Sequence, residues 1–191
     1  MSNLIPRLEW EAFHPDLKAV LEARVKRLGY LGEFFKCVAH VPQTLAYFME
    51  MTEQLKKDLP DNLTELVSLT VAKLAGNEYE RNQHERLSRR LGFSLDWIRE
   101  ANACEPDKAK ALKPEEVLVQ RYCMAAFKSM GKGIEKEFEA MIKAIGPAYS
   151  MGVVMLIGRY ITHAIAVNSL KLVPPVPSVF EQDVEIGRAH V

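Results

Sequence analysis

An abrupt change of character between two adjacent segments constrains this chain most. Leu63 to Leu74 is rich in apolar residues and ends at Ala75-Gly76. The next segment begins Asn77-Glu78-Tyr79-Glu80-Arg81-Asn82-Gln83-His84, and as far as Leu91 its only large apolar residues are Tyr79, Leu87 and Leu91. A helix this polar either bridges solvent or lines a wet internal site. Its place in mid-chain, directly after an apolar helix, favours the internal site. Residues three, four and seven apart share a helical face, which groups Asn77, Glu80, Arg81 and His84. Glu65 stands on the preceding helix, so a carboxylate–histidine constellation is what the fold has to assemble.

Helical signals run the length of the chain and strand signals are nearly absent. Pro15 to Leu28 reads as a helix stopped by Gly29, and Gly32 to Ala39 as a short one. Pro42 opens another to about Lys57, with Leu45, Phe48, Met49 and Leu55 as its apolar positions. Asn62 is the expected N-cap of Leu63 to Leu74, and Ser94 that of a helix carrying Trp97 and Ile98. Pro114 starts a helix to about Ser129, Ile134 to Ile145 is amphipathic and ends at Gly146, and Pro147 begins a long helix through Leu170. The expected fold is therefore all-α, a single helical domain with short connections. Its division is an N-terminal helical extension over 1–41, a main domain over 42–172 and a Pro-rich tail over 173–191.

The 191 residues are enough for one domain with a proper core. Lys plus Arg and Asp plus Glu both number 25, so the net charge is zero and the basic footprint of a nucleic-acid binder is missing. The basic run Arg86-Leu87-Ser88-Arg89-Arg90 reads as a solvated helix end, where cations meet the negative end of the helix dipole. Cys37, Cys104 and Cys123 are scattered and odd in number, which fits a reducing cytoplasm and no disulfide framework. Met1 to Arg7 has no signal-peptide core. The apolar stretch Tyr149 to Leu170 contains Arg159, His163 and Asn168, so it reads as a buried helix and not a membrane span. The final Glu185-Ile186-Gly187-Arg188-Ala189-His190-Val191 back-translates to codons like a sequencing-adapter oligonucleotide, so the natural chain is expected to stop near Val184.

The chemistry on offer is acid–base. His84 can carry protons near neutral pH, and Glu80, one turn earlier, can fix an imidazole tautomer. Two buried carboxylates beside one histidine should push at least one carboxylate pKa upward, the arrangement used in general acid–base catalysis. Asn77 can hydrogen-bond a carbonyl or developing oxyanion, and Arg81 can attract a carboxylate. Plainer roles compete. Glu65 can complete a capping interaction with Asn62, Glu80 and His84 can be an ordinary i,i+4 pair, and Arg81 can face solvent. Tyr79 reads as a packing residue. His163 reads as a satisfied core histidine, or as the opposite wall of a pocket.

The run Glu65-Leu66-Val67-Ser68-Leu69-Thr70-Val71-Ala72, then Gly76-Asn77-Glu78-Tyr79-Glu80 and His84, resembles the carboxymuconolactone decarboxylase-like family, to which alkyl hydroperoxidase D belongs. Leu91-Gly92-Phe93-Ser94, the Glu115–Phe127 helix, Leu156-Ile157-Gly158-Arg159-Tyr160 and Asn168-Ser169-Leu170 follow in that family's order. The similarity covers about Pro42 to Leu172. It implies the alkyl hydroperoxidase D-like helical fold and a homo-oligomer, trimer or hexamer. In the peroxidase branch the pattern is E-x11-C-x2-C-x3-H. Glu65 and His84 match its ends, but Asn77 and Glu80 stand where the cysteines belong, and an amide and a carboxylate cannot perform thiol chemistry. The resemblance therefore implies His84, Glu65 and Glu80 as catalytic residues acting on a small organic acid or lactone in a decarboxylase- or lyase-type reaction. Asn77 and Arg81 would bind the substrate, with no metal, cofactor, nucleic acid or membrane involved. The alternatives are a peroxidase relative that has lost its redox cysteines and a non-catalytic small-anion-binding protein.

Overall fold

The computed structural model describes residues 5–181. Among the described residues there are eight α-helices, two single-turn 3-10 helices and no strand. The α-helices are α1 (Pro15–Leu28), α2 (Glu33–Val38), α3 (Pro42–Asp58), α4 (Asp61–Leu74), α5 (Glu78–Arg90), α6 (Leu95–Ala103), α7 (Pro114–Ser129) and α8 (Glu135–Leu170). The all-α expectation holds. The adapter-like end, Glu185 to Val191, lies outside the described residues.

Most helix ends follow local chemistry. Gly29 closes α1 at φ 79°, the Ser94 hydroxyl accepts the Trp97 N–H at 3.1 Å, and Pro114 takes the first position of α7. The start of α4 departs from expectation. Pro60 occupies the capping position with an extended backbone, so Asn62 is already inside the first turn. Its side-chain amide instead donates to Glu116 Oε1 at 2.7 Å, tying α4 to α7. The two helices expected over 134–145 and 147–170 are both present and run on as α8 across a kink at Gly146, where φ is 76° and ψ 165°. Pro147 has no N–H to continue the ladder, and Gly146 adopts a conformation closed to L-residues.

α4 is the hub. Every residue from Leu63 to Ala72 is buried, and the helix packs against α5, α6, α7 and α8. A helix buried on all sides needs such a ring of neighbours. One core cluster surrounds it, with Leu66, Leu69, Ile98, Val119, Met141 and Leu156 at its centre. A second lies under α1 to α3 and includes Leu17, Leu21, Phe34, Leu45 and Met49. Tyr79 of α5 and Val167 of α8 belong to that second cluster, so the first 41 residues share a core with the rest of the chain. By length and composition α8 is apolar enough to cross a bilayer, with a mean hydropathy of 1.6 over its best window. Its Arg159 and His163 are turned inward and are 3 % exposed each, and it packs on α3, α4 and α7.

After α8 the chain doubles back across α5 as a strap. Asn82 Nδ2 donates to the Val176 carbonyl at 3.0 Å, and Arg86 Nε donates to the Pro177 carbonyl at 3.0 Å. Glu85, 1 % exposed, accepts from the Ser178 hydroxyl at 2.5 Å and the Val179 N–H at 3.1 Å.

Candidate active site

The corner at Gly76, with φ 63°, turns α5 back along α4 and sets the polar helix against the hub. His84 thereby meets Glu65 across the two helices, with its Nδ1 2.8 Å from Glu65 Oε2. Ser88, one turn further along α5, donates to the same oxygen at 3.3 Å. On the other edge of the ring the Tyr160 hydroxyl lies 2.9 Å from His84 Nε2. Burial pushes the Tyr160 pKa well above its ordinary value, so the phenol keeps its proton and acts as donor. Glu65 accepts, which assigns the imidazole proton to Nδ1 and leaves Nε2 as the acceptor. The histidine is held at both nitrogens.

Glu80 lies behind this triad, with Oε2 3.7 Å from His84 Nε2. Its Oε1 accepts from Arg159 at 3.0 Å and lies 3.1 Å from His163 Nε2. Asn77 Nδ2 donates to His163 Nδ1 at 3.3 Å, so the His163 proton sits on Nε2 and points at Glu80. Arg159 Nε donates to Thr52 at 3.1 Å, and its guanidinium lies 4.2 Å from the centre of the Tyr160 ring. Burial by itself would raise the Glu80 pKa, but His163, Arg159 and His84 together outweigh it and hold the carboxyl well below the usual range. The expected upward carboxylate shift is thus reversed at Glu80, because α8 supplies a guanidinium that α4 and α5 do not reveal. His163 is pushed the other way, down to about 3, chiefly by burial, and it stacks on Phe34 at 4.1 Å.

Glu80 and His84 line a pocket of about 140 Å³ together with Arg24, Arg27, Leu28 and Tyr30 of the α1 region, Lys56 of α3, Gln83, Arg86, Leu87 and Arg90 of α5, and Val176 of the strap. Of the five residues singled out in the sequence, Glu65, Glu80, His84 and Asn77 are brought into one buried network. Asn77 does not reach the pocket. Its Oδ1 accepts the Glu80 N–H at 3.2 Å as the N-cap of α5, and its amide is taken by His163. Arg81 turns away to Glu78 and Glu85, at 3.3 and 3.6 Å. Arg159, Tyr160 and the pocket cations were missed. Arg86 and Arg90, expected to be a solvated helix end, line the pocket. The signal was available, since Glu80, Gln83, Leu87 and Arg90 recur at helical spacing on one face.

Among the described residues no three His, Cys, Asp or Glu side chains are arranged to hold a metal ion. No cysteine lines this pocket. Burial raises the thiol pKa of Cys37 and Cys123, and takes that of Cys104 up to about 11, so all three remain thiols at neutral pH.

The fold is of the alkyl hydroperoxidase D-like type. The debrominase Bmp8 in its apo form superposes with a TM-score of 0.79 at 13% identity, over 92% of this chain and 94% of that one. A Cys-to-Ala variant of the same debrominase, in complex with 2,3,4-tribromopyrrole, gives 0.78 at 14% identity over 91% and 92%. The alkylhydroperoxidase AhpD core of an uncharacterized peroxidase-related protein from Ralstonia eutropha JMP134 gives 0.77 at 15%, over 88% and 90%. No curated protein matches the chain in sequence. Residues 42–104, about a third of the chain, match the model of the Carboxymuconolactone decarboxylase family, a stretch that includes Glu65, Asn77, Glu80 and His84.

Proposed function

We propose that the chain moves a proton on a small organic acid, lactone or related carbonyl compound, with His84 as the group that carries it. The carrying observation is His84 itself, clamped between Glu65 and Tyr160 at the floor of a pocket lined by five cations. When His84 takes a proton at Nε2, Tyr160 rotates off that nitrogen. The resulting imidazolium is flanked by Glu65 at 2.8 Å and by the ionised Glu80 at 3.7 Å. Glu65 orients the ring through Nδ1, and Glu80 lies beside the ring without exchanging its own proton. In a decarboxylation, the bond from the carboxylate carbon to its neighbour breaks and carbon dioxide leaves. Its electron pair passes into an adjacent carbonyl system as an enolate, and His84 returns a proton to the carbon.

The pocket's charge also separates this reading from its neighbours. A brominated pyrrole, as bound by the debrominase variant, asks for apolar walls, whereas here Leu28, Leu87 and Val176 are outnumbered by cations. A peroxidase reading lacks a thiolate at the site. The test is a turnover screen over small lactone acids and keto acids. His84→Gln is expected to abolish the activity found and Glu65→Gln to lower it. Unchanged turnover in His84→Gln removes the mechanism, and ligand-induced stabilisation with no turnover of any candidate favours a binding protein.

The reading includes a cytoplasmic homo-oligomer. It is supported by the three free cysteines and by Met151, Met155 and Ile165, which leave one face of α8 apolar and half or more exposed.

A further inference from the structure

The cations around the His84 pocket outnumber the carboxylates that neutralise them among the described residues. Glu80 is the carboxylate in the lining, and it is already bonded to Arg159. Glu53 pairs with Arg24 at 3.0 Å and approaches Lys56 at 3.8 Å. Arg27, Arg86 and Arg90 have no carboxylate partner among the described residues, and Arg86 is held only by a carbonyl of the strap. Arg24 Nε is buried with no acceptor. A buried donor left unmade costs about 1–3 kcal/mol, so its persistence at a pocket wall points to an acceptor that arrives with a ligand. The charges also converge: Arg24, Arg27 and Arg90 all act on the Tyr30 phenol.

Two helices present these groups in pairs. Arg24 and Arg27 stand one turn apart on α1, and Arg86 and Arg90 one turn apart on α5. A lone carboxylate brings one charge and two oxygens, which cannot occupy four guanidinium forks. A phosphate brings close to two charges and three terminal oxygens on a single tetrahedral centre, and it fits a pocket this small. We propose that the pocket binds a small phosphate monoester through Arg24, Arg27, Arg86 and Arg90, with Lys56 as a further point charge. Built on the preceding reading of the His84 pocket, the phosphate serves as the handle that places the remainder of the substrate against His84.

Calorimetric titration tests this with four ligands: inorganic phosphate, phosphoglycolate, glycolate and malonate. Phosphoglycolate is expected to bind most tightly, at least about tenfold tighter than glycolate or malonate, and more weakly as salt rises. The double variant Arg86→Gln/Arg90→Gln is expected to lose about tenfold or more in phosphoglycolate affinity. Arg27→Gln, on the exposed last turn of α1, is expected to weaken binding in the same direction with no disturbance of the strap. Both arginine variants leave Glu65, His84 and Tyr160 in place, and the titration reads binding without turnover, so this site stands even where the proton-transfer reading fails. Malonate binding as tightly as phosphoglycolate overturns the proposal, as does affinity unchanged in both arginine variants. Inorganic phosphate binding more tightly than the ester assigns the site to free phosphate and overturns the handle.

Discussion

Replacing Arg159 with methionine isolates the charge arrangement beneath the pocket. Arg159 donates to Glu80 at 3.0 Å and to Thr52 at 3.1 Å, and both ends of its ion pair are at most 5 % exposed. Methionine keeps the helix and much of the stem, but it leaves Glu80 buried without its guanidinium. Breaking a buried pair from one side costs about 3–5 kcal/mol, which is the expected penalty at pH 8. The penalty must depend on pH, because His163 sits 3.1 Å from Glu80 and feels Glu80, Arg159, His84 and Arg24. In the wild type its folded pKa of about 3 lies below the ordinary 6.5, so the unfolded chain binds the extra proton between these values. Stability is therefore lost as pH falls through that window, by about 1 kcal/mol at pH 5.5. In Arg159→Met one opposing cation is gone while burial remains, so the folded pKa of His163 rises toward its ordinary value. The stability lost on acidification is then smaller than in the wild type. Urea unfolding followed by circular dichroism at pH 8 and pH 5.5 reads both quantities. The penalty is expected to shrink by up to about 1 kcal/mol at the lower pH, and a penalty equal at the two pH values refutes the reasoning.

Two further substitutions test the scaffold. Glu85→Ala leaves Asn102, Ser178 and Val179 without their acceptor, so it is expected to destabilise by about 2–4 kcal/mol; limited proteolysis should then cut beyond Leu172 far faster than in the wild type, and equal resistance would show that the strap is held by other contacts. Gly146→Ala forces an L-residue to φ 76°, ψ 165°, at an expected cost of about 1–3 kcal/mol and a fall in Tm of several degrees; an unchanged Tm would mean that the break in α8 relaxes freely.

Helix boundaries were legible wherever a single residue dictates the backbone. Gly29, Pro42, Ser94 and Pro114 each act through their own φ, missing N–H or short hydroxyl. Asn62 misled because Pro60, two residues earlier, had already set the entry to α4. The Glu65–His84 pair was legible because both residues lie on adjacent, recognisable helices. Tyr160 and Arg159 were not, since they sit 76 and 79 residues beyond the side chains they bond. Local periodicity carries no information about such a crossing. Asn77 shows a different limit: a shared helical face places a side chain near a site, but its use as the N-cap and as a His163 partner turns its amide away from the pocket.

The strap gives the pocket an unusual dependence on the far end of the chain. Val176 forms part of the pocket wall, and Pro177 holds the Arg86 side chain by its carbonyl. Meanwhile α1 brings Arg24 and Arg27 from the opposite end of the sequence. The proton-carrying group and the groups that choose the ligand are thus inherited from separate stretches. A truncation, fusion or lengthened terminus that shifts residues 173–178 would alter what enters the pocket while leaving Glu65, His84 and Tyr160 untouched. Tags placed after the strap therefore belong among the variables of any ligand screen.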